Sequence, residues 1–183
     1  MVTWINPEED NWKLNSDGSC MMMMGKAGAG GIVRRGNGDM VMAYANPIQF
    51  LTNKFSELQA ALFGIIWCCE QQFNKLTVEL DSLLVVQMIQ GKAKPPCRLH
   101  NDLTTIKEKI SHRDIEVCHC FREGNTVADS LAKHATAIMK DKIYMQENDL
   151  PCETKGYLRM DKLQMPSFRI RATKHPGWFF EPP

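Results

Sequence analysis

Alternation between two sets of residues is typical of a β-strand, and it marks the first predicted element of the chain. Residues 12–19 (WKLNSDGS) alternate in this way and end in an Asp-Gly turn signal. Residues 25–35 and 39–45 follow as two further strands. Between them, residues 36–38 (GNG) are a strong hairpin signal, because glycine and asparagine tolerate positive φ. Three consecutive antiparallel strands are therefore expected.

The period then changes to that of an α-helix. Apolar residues between Leu58 and Cys69 recur at helical spacing, which predicts a helix over residues 54–73. Ser56, with Gln59 three positions later, resembles a capping box at its start. A buried strand is predicted at residues 76–80, followed by helices at 83–90 and 99–110. A further strand is predicted at residues 115–121, and a last helix at 125–139 begins at Asn125. The order β-β-β-α-β-α-α-β-α predicts an α/β fold, a mixed five-stranded sheet with helices packed on it.

The pattern of residues divides the chain into three segments. Residues 1–11 are polar and form a lead-in, and residues 12–141 carry all the predicted elements. Residues 142–183 contain five prolines and no apolar periodicity, so we expect an irregular or partly disordered tail.

Composition restricts the class of protein without identifying a function. A chain of 183 residues with 44% hydrophobic and 23% charged residues is typical of a soluble globular domain. The formal net charge of +1 lacks a global basic signature, so any contact with nucleic acid must be local. Seven cysteines at irregular spacings favour reduced thiols in an intracellular protein, in either nucleus or cytoplasm. No apolar stretch is long enough to span a membrane, and residues 1–10 lack the features of a secretory signal.

Four acidic residues stand at the ends of predicted elements. Asp17 closes the first strand, Asp81 follows the fourth, and Glu57 and Asp129 lie in the first turns of two helices. Strand ends and helix starts gather at one edge of an α/β sheet, so these acids are expected to cluster there. Clustered carboxylates repel one another unless cations are present, and oxygen ligands suit Mg²⁺ or Mn²⁺. Two such ions can activate water and stabilise the leaving oxygen of a phosphodiester.

Each of these acids also has an ordinary structural explanation. Asp17 precedes Gly18 and fits a turn, and Asp81 fits a helix N-cap. Glu57 and Asp129 sit where the helix dipole favours a negative charge. The pattern of residues alone leaves both explanations open.

Five local sequence words surround these acids in a fixed order: WKLNSDGS, AGAGGIVRRGNGDM, SELQAALFGI, VELDSLLVVQMI and HCFREGNTVADSLAKHA. Together they resemble the ribonuclease H type 1 superfamily. The match is best to the plant ribonuclease H-like domains similar to those of non-LTR retroelements. The resemblance covers about residues 12–140 and agrees with the predicted order of elements.

The resemblance implies a metal-dependent endonuclease that cleaves the RNA strand of an RNA–DNA hybrid. Two Mg²⁺ (or Mn²⁺) ions would be held by the four catalytic carboxylates Asp17, Glu57, Asp81 and Asp129. Contacts with nucleic acid are implied for Gly18, Ser19, Arg122 and Asn125. No small-molecule cofactor and no membrane association are expected, and we expect a monomer.

Two features of the sequence differ from some members of that superfamily. Some members carry a mobile-loop histidine before the last aspartate, but here His119 lies within a predicted strand, so we interpret it as a strand residue. Arg122 is a candidate to substitute for it in part, and slow activity is expected. The basic residues between 92 and 109 are scattered among acids, which predicts modest, salt-sensitive affinity. A nucleic-acid-binding module with little activity, or a structural domain derived from a retroelement, remains the alternative.

Overall fold

Six strands form one mixed sheet in the computed structural model, which describes residues 1–49, 52–73 and 75–168. The strands are β1 (Trp12–Met21), β2 (Lys26–Arg34), β3 (Met40–Ile48), β4 (Lys75–Leu80), β5 (Asp114–His119) and β6 (Lys142–Tyr144). Their order across the sheet is β5-β4-β1-β2-β3-β6. The pairs β1–β4 and β4–β5 are parallel, whereas β1–β2, β2–β3 and β3–β6 are antiparallel.

Helices cover both faces of this sheet. They are α1 (Asn53–Glu70), α2 (Leu83–Ile89), α3 (His100–Ile110), α4 (Thr126–Ile138) and α5 (Cys152–Lys162). The first three share one hydrophobic core with the sheet, and α4 and α5 share another with its opposite face. Within the described part of the chain, none of the helices combines the length and apolar character that crossing a bilayer requires.

The two cores follow from the alternation of side chains along the strands. Leu14 and its partner Val33 point into the core under α1, whereas Ile32 and its partner Ala43 point into the core under α4. Residues 27–34 of β2 are buried on both faces. A strand buried in this way reads as a nearly continuous apolar run, as β2 does.

The glycines of β2 set the distance between the sheet and α4. A Cβ atom on Gly30 would lie 2.1 Å from the amide nitrogen of Ala132, and one on Gly28 would lie 2.5 Å from its carbonyl oxygen. No side chain fits in that space, so the backbones of β2 and α4 touch directly. The glycine-rich sequence word is therefore a packing requirement.

The sheet has one more strand than the five that the sequence predicts. The added strand, β6, pairs with β3 through Ala43 opposite Tyr144, and Tyr144 is buried in the core under α4. Three residues are too few to show strand alternation, which is why the sequence pattern missed β6.

The segment after residue 142 is also more ordered than expected. The sequence pattern predicts an irregular tail, but α5 forms there and buries Thr154, Leu158 and Asp161. These positions have helical spacing, yet two of the three are polar, so the apolar pattern that marks a helix is weak. The rest of the predicted tail, residues 169–183, lies outside the described residues.

The lead-in segment packs against the domain as well. Trp4 is buried, and Val2 forms an isolated antiparallel bridge with Ser167 near the other end of the described chain. The exact division into residues 1–11, 12–141 and 142–183 stays a prediction.

Candidate metal centre

The register of the parallel pair β1–β4 brings two of the predicted acids together. Ser16 on β1 is paired with Leu80 on β4, and each is followed directly by an aspartate, Asp17 and Asp81. The predicted turn at Asp17-Gly18 is wrong, because β1 continues through both residues to Met21. Asp17 thus lies in the middle of a central strand, and Asp81 lies at the end of the neighbouring one.

The start of α1 supplies the third acid. The hydroxyl of Thr52 caps α1 by accepting from the amide of Phe55 at 3.3 Å, so the predicted cap at Ser56 is wrong. Glu57 is therefore at the fifth helical position, facing β1. A Cβ atom on Gly18 would lie only 2.2 Å from the amide nitrogen of Glu57, so a glycine is needed there.

Asp17, Glu57 and Asp81 form a compact group, called here the three-carboxylate group. One carboxylate oxygen from each residue lies within 4.8 Å of the other two. Asp17 is only 5% exposed, and Oε2 of Glu57 is buried with no hydrogen-bond partner among the described residues. A buried carboxylate oxygen left unpaired is costly, and a cation would satisfy it.

The electrostatics of this group point the same way. Burial first, and then the charges of Asp81 and Asp129, raise the pKa of Asp17 to about 9. Burial also raises the pKa of Glu57 and of Asp81. Without a cation, the site disfavours its own ionised form. The donors are all oxygens, so the residues fit Mg²⁺ or Mn²⁺ better than zinc.

Asp129, the fourth predicted acid, does not join the three-carboxylate group. It lies in the first turn of α4, where it accepts from Nη2 of Arg122 at 3.4 Å and from Nζ of Lys133 at 2.5 Å. Its charge still reaches the group, since it contributes to the raised pKa of Asp17 and of Asp81. Asp129 is thus adjacent to the group but held by two cations.

The predicted nucleic-acid contacts fall into two kinds of environment. Ser19 is half-buried near the end of β1, and the side chain of Arg122 is 72% exposed beside the site. Asn125 is buried, and its Nδ2 donates to the carbonyl of Ser16 at 3.0 Å. That bond ties the start of α4 to β1, so the Asn125 side chain faces the interior instead of nucleic acid. Gly18, as described above, has a packing role.

His119 is an exposed residue at the end of β5, in agreement with its interpretation as a strand residue.

Two groups of residues near the site were missed at the level of sequence. Lys133 follows Asp129 by four positions on α4, a spacing that favours ion pairs on a helix and was available as a signal. The second is a set of polar residues buried beside β1, which includes Asn15 and Arg34. The sequence signal for this set was the run of polar residues at every second position of the first strand, Lys13, Asn15 and Asp17.

Comparisons with known proteins indicate the family and the fold of the chain. The model of a family described as reverse transcriptase-like matches residues 15–135, more than half of the chain. An Arabidopsis thaliana protein provisionally named as a ribonuclease H protein is 25% identical over 140 residues, which are 75% of this chain and 22% of that protein. The chain therefore spans about a fifth of that relative.

Solved structures of ribonucleases H share the fold. The N-terminal RNase H domain of a Mycobacterium tuberculosis protein has a TM-score of 0.65 at 24% identity, covering 70% of this chain and 94% of that one. RNase H1 from Halobacterium salinarum also has a TM-score of 0.65, at 23% identity, covering 70% and 98%. LC11-RNase H1, isolated from compost and solved in complex with an RNA/DNA hybrid, has a TM-score of 0.63 at 23% identity, covering 70% and 98%. The predicted fold is confirmed, with six strands in place of five.

Proposed function

Because the chain belongs to the reverse transcriptase-like family and has the ribonuclease H fold, we propose that it is a metal-dependent endonuclease that cleaves the RNA strand of RNA–DNA hybrids. The observation that carries the proposal is the three-carboxylate group, with its unpaired Glu57 oxygen and the raised pKa of Asp17. A module that only bound nucleic acid would gain nothing from these acids, since they repel phosphate as well as one another.

The division of work among the acids follows from their positions. Asp17, Glu57 and Asp81 would hold one Mg²⁺ or Mn²⁺ ion, and Asp129 with Asp17 would hold a second. Bound ions of this kind supply an activated water and stabilise the leaving oxygen of a phosphodiester. The sheet would hold two of these acids in a fixed relative position, because Asp17 and Asp81 directly follow paired residues on adjacent strands.

Arg122 and Lys133 are the positively charged side chains that would bind the phosphate of the substrate. Both now contact Asp129, and both side chains are more than half exposed. If Asp129 held an ion, Arg122 and Lys133 would be free to contact phosphate oxygens. Arg122 suits this role because a guanidinium can bind phosphate through two hydrogen bonds.

An RNA–DNA hybrid is the proposed substrate. LC11-RNase H1, which shares this fold, has been solved with an RNA/DNA hybrid. The backbone around Gly18 and Ser19 borders the three-carboxylate group and is a suitable place to contact 2′-hydroxyls in the minor groove. The near-neutral charge of the chain predicts modest affinity, and we propose that the chain acts as a monomer.

The test is cleavage of a hybrid whose RNA strand is labelled, with Mg²⁺, with Mn²⁺ and with EDTA, beside the Asp17→Asn variant. Duplex DNA and duplex RNA serve as substrate controls. Metal-dependent cutting of RNA in the hybrid alone, absent in the variant, is the expected result. If the folded protein cuts nothing with either metal, the enzyme proposal fails.

A binding module with little activity is the second candidate. The observation that favours it is the pair of cations on Asp129, since a permanently neutralised Asp129 would leave no place for a second ion. Tight binding of the hybrid, insensitive to EDTA and without cleavage, would support this function instead.

A further inference from the structure

Six polar residues lie together on the sheet face that Asp17 shares, next to the three-carboxylate group. They are called here the polar clamp: Trp4, Lys13, Asn15, Arg34, Glu79 and Asp161. Asn15 is completely buried, and Arg34 is 1% exposed. Burying such a network is costly, and Nε of Arg34 is left without a partner among the described residues, so its presence here needs an explanation.

The centre of the clamp links β1 to β4 through side chains. Asn15 is paired with Glu79 in the strand register, and Nδ2 of Asn15 donates to Oε2 of Glu79 at 2.8 Å. The other oxygen of Glu79 accepts from Nζ of Lys13 at 2.6 Å. Both carboxylate oxygens of Glu79 are thus held by β1.

This link sits two residues before each aspartate of the site. Asn15 precedes Asp17 by two positions, and Glu79 precedes Asp81 by two positions. Side chains two apart on a strand point to the same face, so the link and the carboxylates are neighbours along the strands. A shift of β1 against β4 would break the Asn15–Glu79 bond and separate Asp17 from Asp81 together.

The rest of the clamp connects this link to both flanks of the domain. Oδ1 of Asn15 accepts from Nε1 of Trp4 at 2.9 Å and from Nη2 of Arg34 at 2.6 Å. The guanidinium of Arg34 lies 3.5 Å from the centre of the Trp4 ring and donates through Nη1 to Asp161 on α5 at 2.7 Å. Trp4 and Asp161 both lie outside residues 15–135, the part that matches the family.

We propose that the polar clamp positions the two strand aspartates for metal binding, and that the segments holding Trp4 and Asp161 are therefore working parts of the metal centre. The clamp residues are positioning residues, because they act through Asp17 and Asp81 and touch no metal themselves. This inference rests on the proposed function, in that the three-carboxylate group must bind a divalent cation.

The decisive variant is Asn15→Asp, made in the full chain. It keeps the acceptor that faces Trp4 and Arg34 but places an oxygen against Oε2 of Glu79, so the β1–β4 link becomes a repulsion. The matched rescue is the double variant Asn15→Asp with Glu79→Gln. The introduced amide can donate to position 15 while its oxygen still accepts from Lys13, and the net charge of the pair is unchanged.

The first readout is the affinity for Mn²⁺, measured by calorimetric titration without nucleic acid at a temperature where circular dichroism shows each variant folded. We expect Asn15→Asp to weaken Mn²⁺ binding roughly tenfold, the effect typical of residues that orient metal ligands. The double variant is expected to return to within about twofold of the natural chain. Equal affinity in all three would overturn the proposal, as would a double variant that remains as weak as Asn15→Asp.

Two further variants separate positioning from general stability. Trp4→Phe replaces the indole with a smaller phenyl ring, so it removes the Nε1–H that reaches Asn15 while a ring still lies over Arg34. It also covers the case in which Asn15→Asp does not fold. We expect Trp4→Phe to weaken Mn²⁺ binding about threefold, a smaller loss than in Asn15→Asp but of the same sign. Lys162 follows the clamp residue Asp161 on α5 and forms ion pairs with Asp39 and Glu147. Lys162→Met removes these ion pairs and leaves the clamp intact, so Mn²⁺ affinity should be unchanged. An unchanged affinity in Trp4→Phe, or an equal loss in Lys162→Met, would assign the clamp to stability alone.

Hybrid cleavage gives the second readout. The clamp touches no nucleic acid, so Asn15→Asp should lower kcat at fixed Mg²⁺ while KM stays within about twofold. If the natural chain binds Mn²⁺ but cuts no hybrid, the proposed function fails and the Mn²⁺ series still decides the clamp. If the natural chain cuts the hybrid but Asn15→Asp binds Mn²⁺ as tightly as the natural chain, the proposed role of the clamp is wrong and the proposed function stands.

Discussion

Nζ of Lys133 lies 2.5 Å from Oδ2 of Asp129, one turn further along α4, and holds the carboxylate that the second ion would need. Replacing this cation should make the second ion easier to bind. For Lys133→Met, we expect the second Mn²⁺ ion to bind about fivefold more tightly, with a dissociation constant about fivefold lower. A nearby positive charge is worth on the order of 1 kcal/mol in a solvent-exposed setting. Electron paramagnetic resonance of free Mn²⁺ during titration measures both steps. Lys140→Met, an exposed lysine beyond the end of α4, is the charge-matched control and should change little.

The repulsion within the three-carboxylate group should be visible without any metal. In EDTA at neutral pH, Asp17→Asn removes one of three neighbouring acids, and we expect it to stabilise the fold by about 1 kcal/mol, or a rise in Tm of about 2–4 °C. Thermal unfolding followed by circular dichroism measures this. Mg²⁺ should raise the Tm of the natural chain and not that of the variant. A lower Tm for Asp17→Asn in EDTA would contradict the crowding of charges, and Asp114→Asn, at an exposed position of β5, gives the baseline.

Gly18 should tolerate no side chain, because α1 starts against it. A Cβ atom there would lie 2.2 Å from Glu57 N and 2.3 Å from the carbonyl carbon of Ser56, both backbone atoms. For Gly18→Ala we expect a loss of about 2 kcal/mol or more in urea unfolding, together with weaker Mn²⁺ binding as Glu57 moves away. Gly156→Ala on α5 is the matched control, since nothing lies within 4 Å of its Cβ, and it should stabilise by up to about 1 kcal/mol. Similar effects of the two changes would rule out close packing at Gly18.

Arg122 should contribute a phosphate contact and no base recognition. Its side chain is exposed beside Asp129, and we expect Arg122→Gln to weaken hybrid binding equally for different sequences. The slope of log affinity against log salt should become shallower by about one. Fluorescence anisotropy with a catalytically inactive background such as Asp81→Asn measures both. Arg159→Gln on α5 removes an exposed arginine from another helix, and a matching loss there would show that Arg122 acts only through net charge.

Much of the fold could be predicted from the sequence because its signals are local and repeated. Alternation in residues 12–19, the hairpin signal at residues 36–38 and the helical spacing from Leu58 to Cys69 predict β1, β2, β3 and α1 in the observed order. The strand β6 and the helix α5 could not be found in this way. Tyr144 and Leu158 are buried only because distant parts of the chain, β3 and α4, provide the surfaces that cover them.

The sequence indicated which residues belong to the candidate site better than it indicated how their side chains are arranged. Asp17, Glu57 and Asp81 lie together, although Asp17 is inside β1 and not at its end, while Glu57 is near the start of α1 and Asp81 follows β4. Asp129 stays apart from this group and pairs with Arg122 and Lys133. The helical spacing of Lys133 indicates one of these pairs, but it does not tell whether Asp129 faces Lys133 or the other acids. The burial of Asn125 depends on a single bond to the carbonyl of Ser16.

The short strand β6 also has a consequence for the behaviour of the protein at high concentration. An unpaired sheet edge is a template for adding further strands, and proteins avoid this with short, charged or proline-containing edges. Here β6 covers residues 43–45 of β3, and the stretch of β3 beyond that cover contains Pro47, which lacks an amide donor. At the opposite edge, the six-residue β5 exposes Asp114 and Glu116. Both edges of the sheet therefore resist edge-to-edge aggregation, while the pairing of β1 with β4 inside the sheet holds Asp17 beside Asp81.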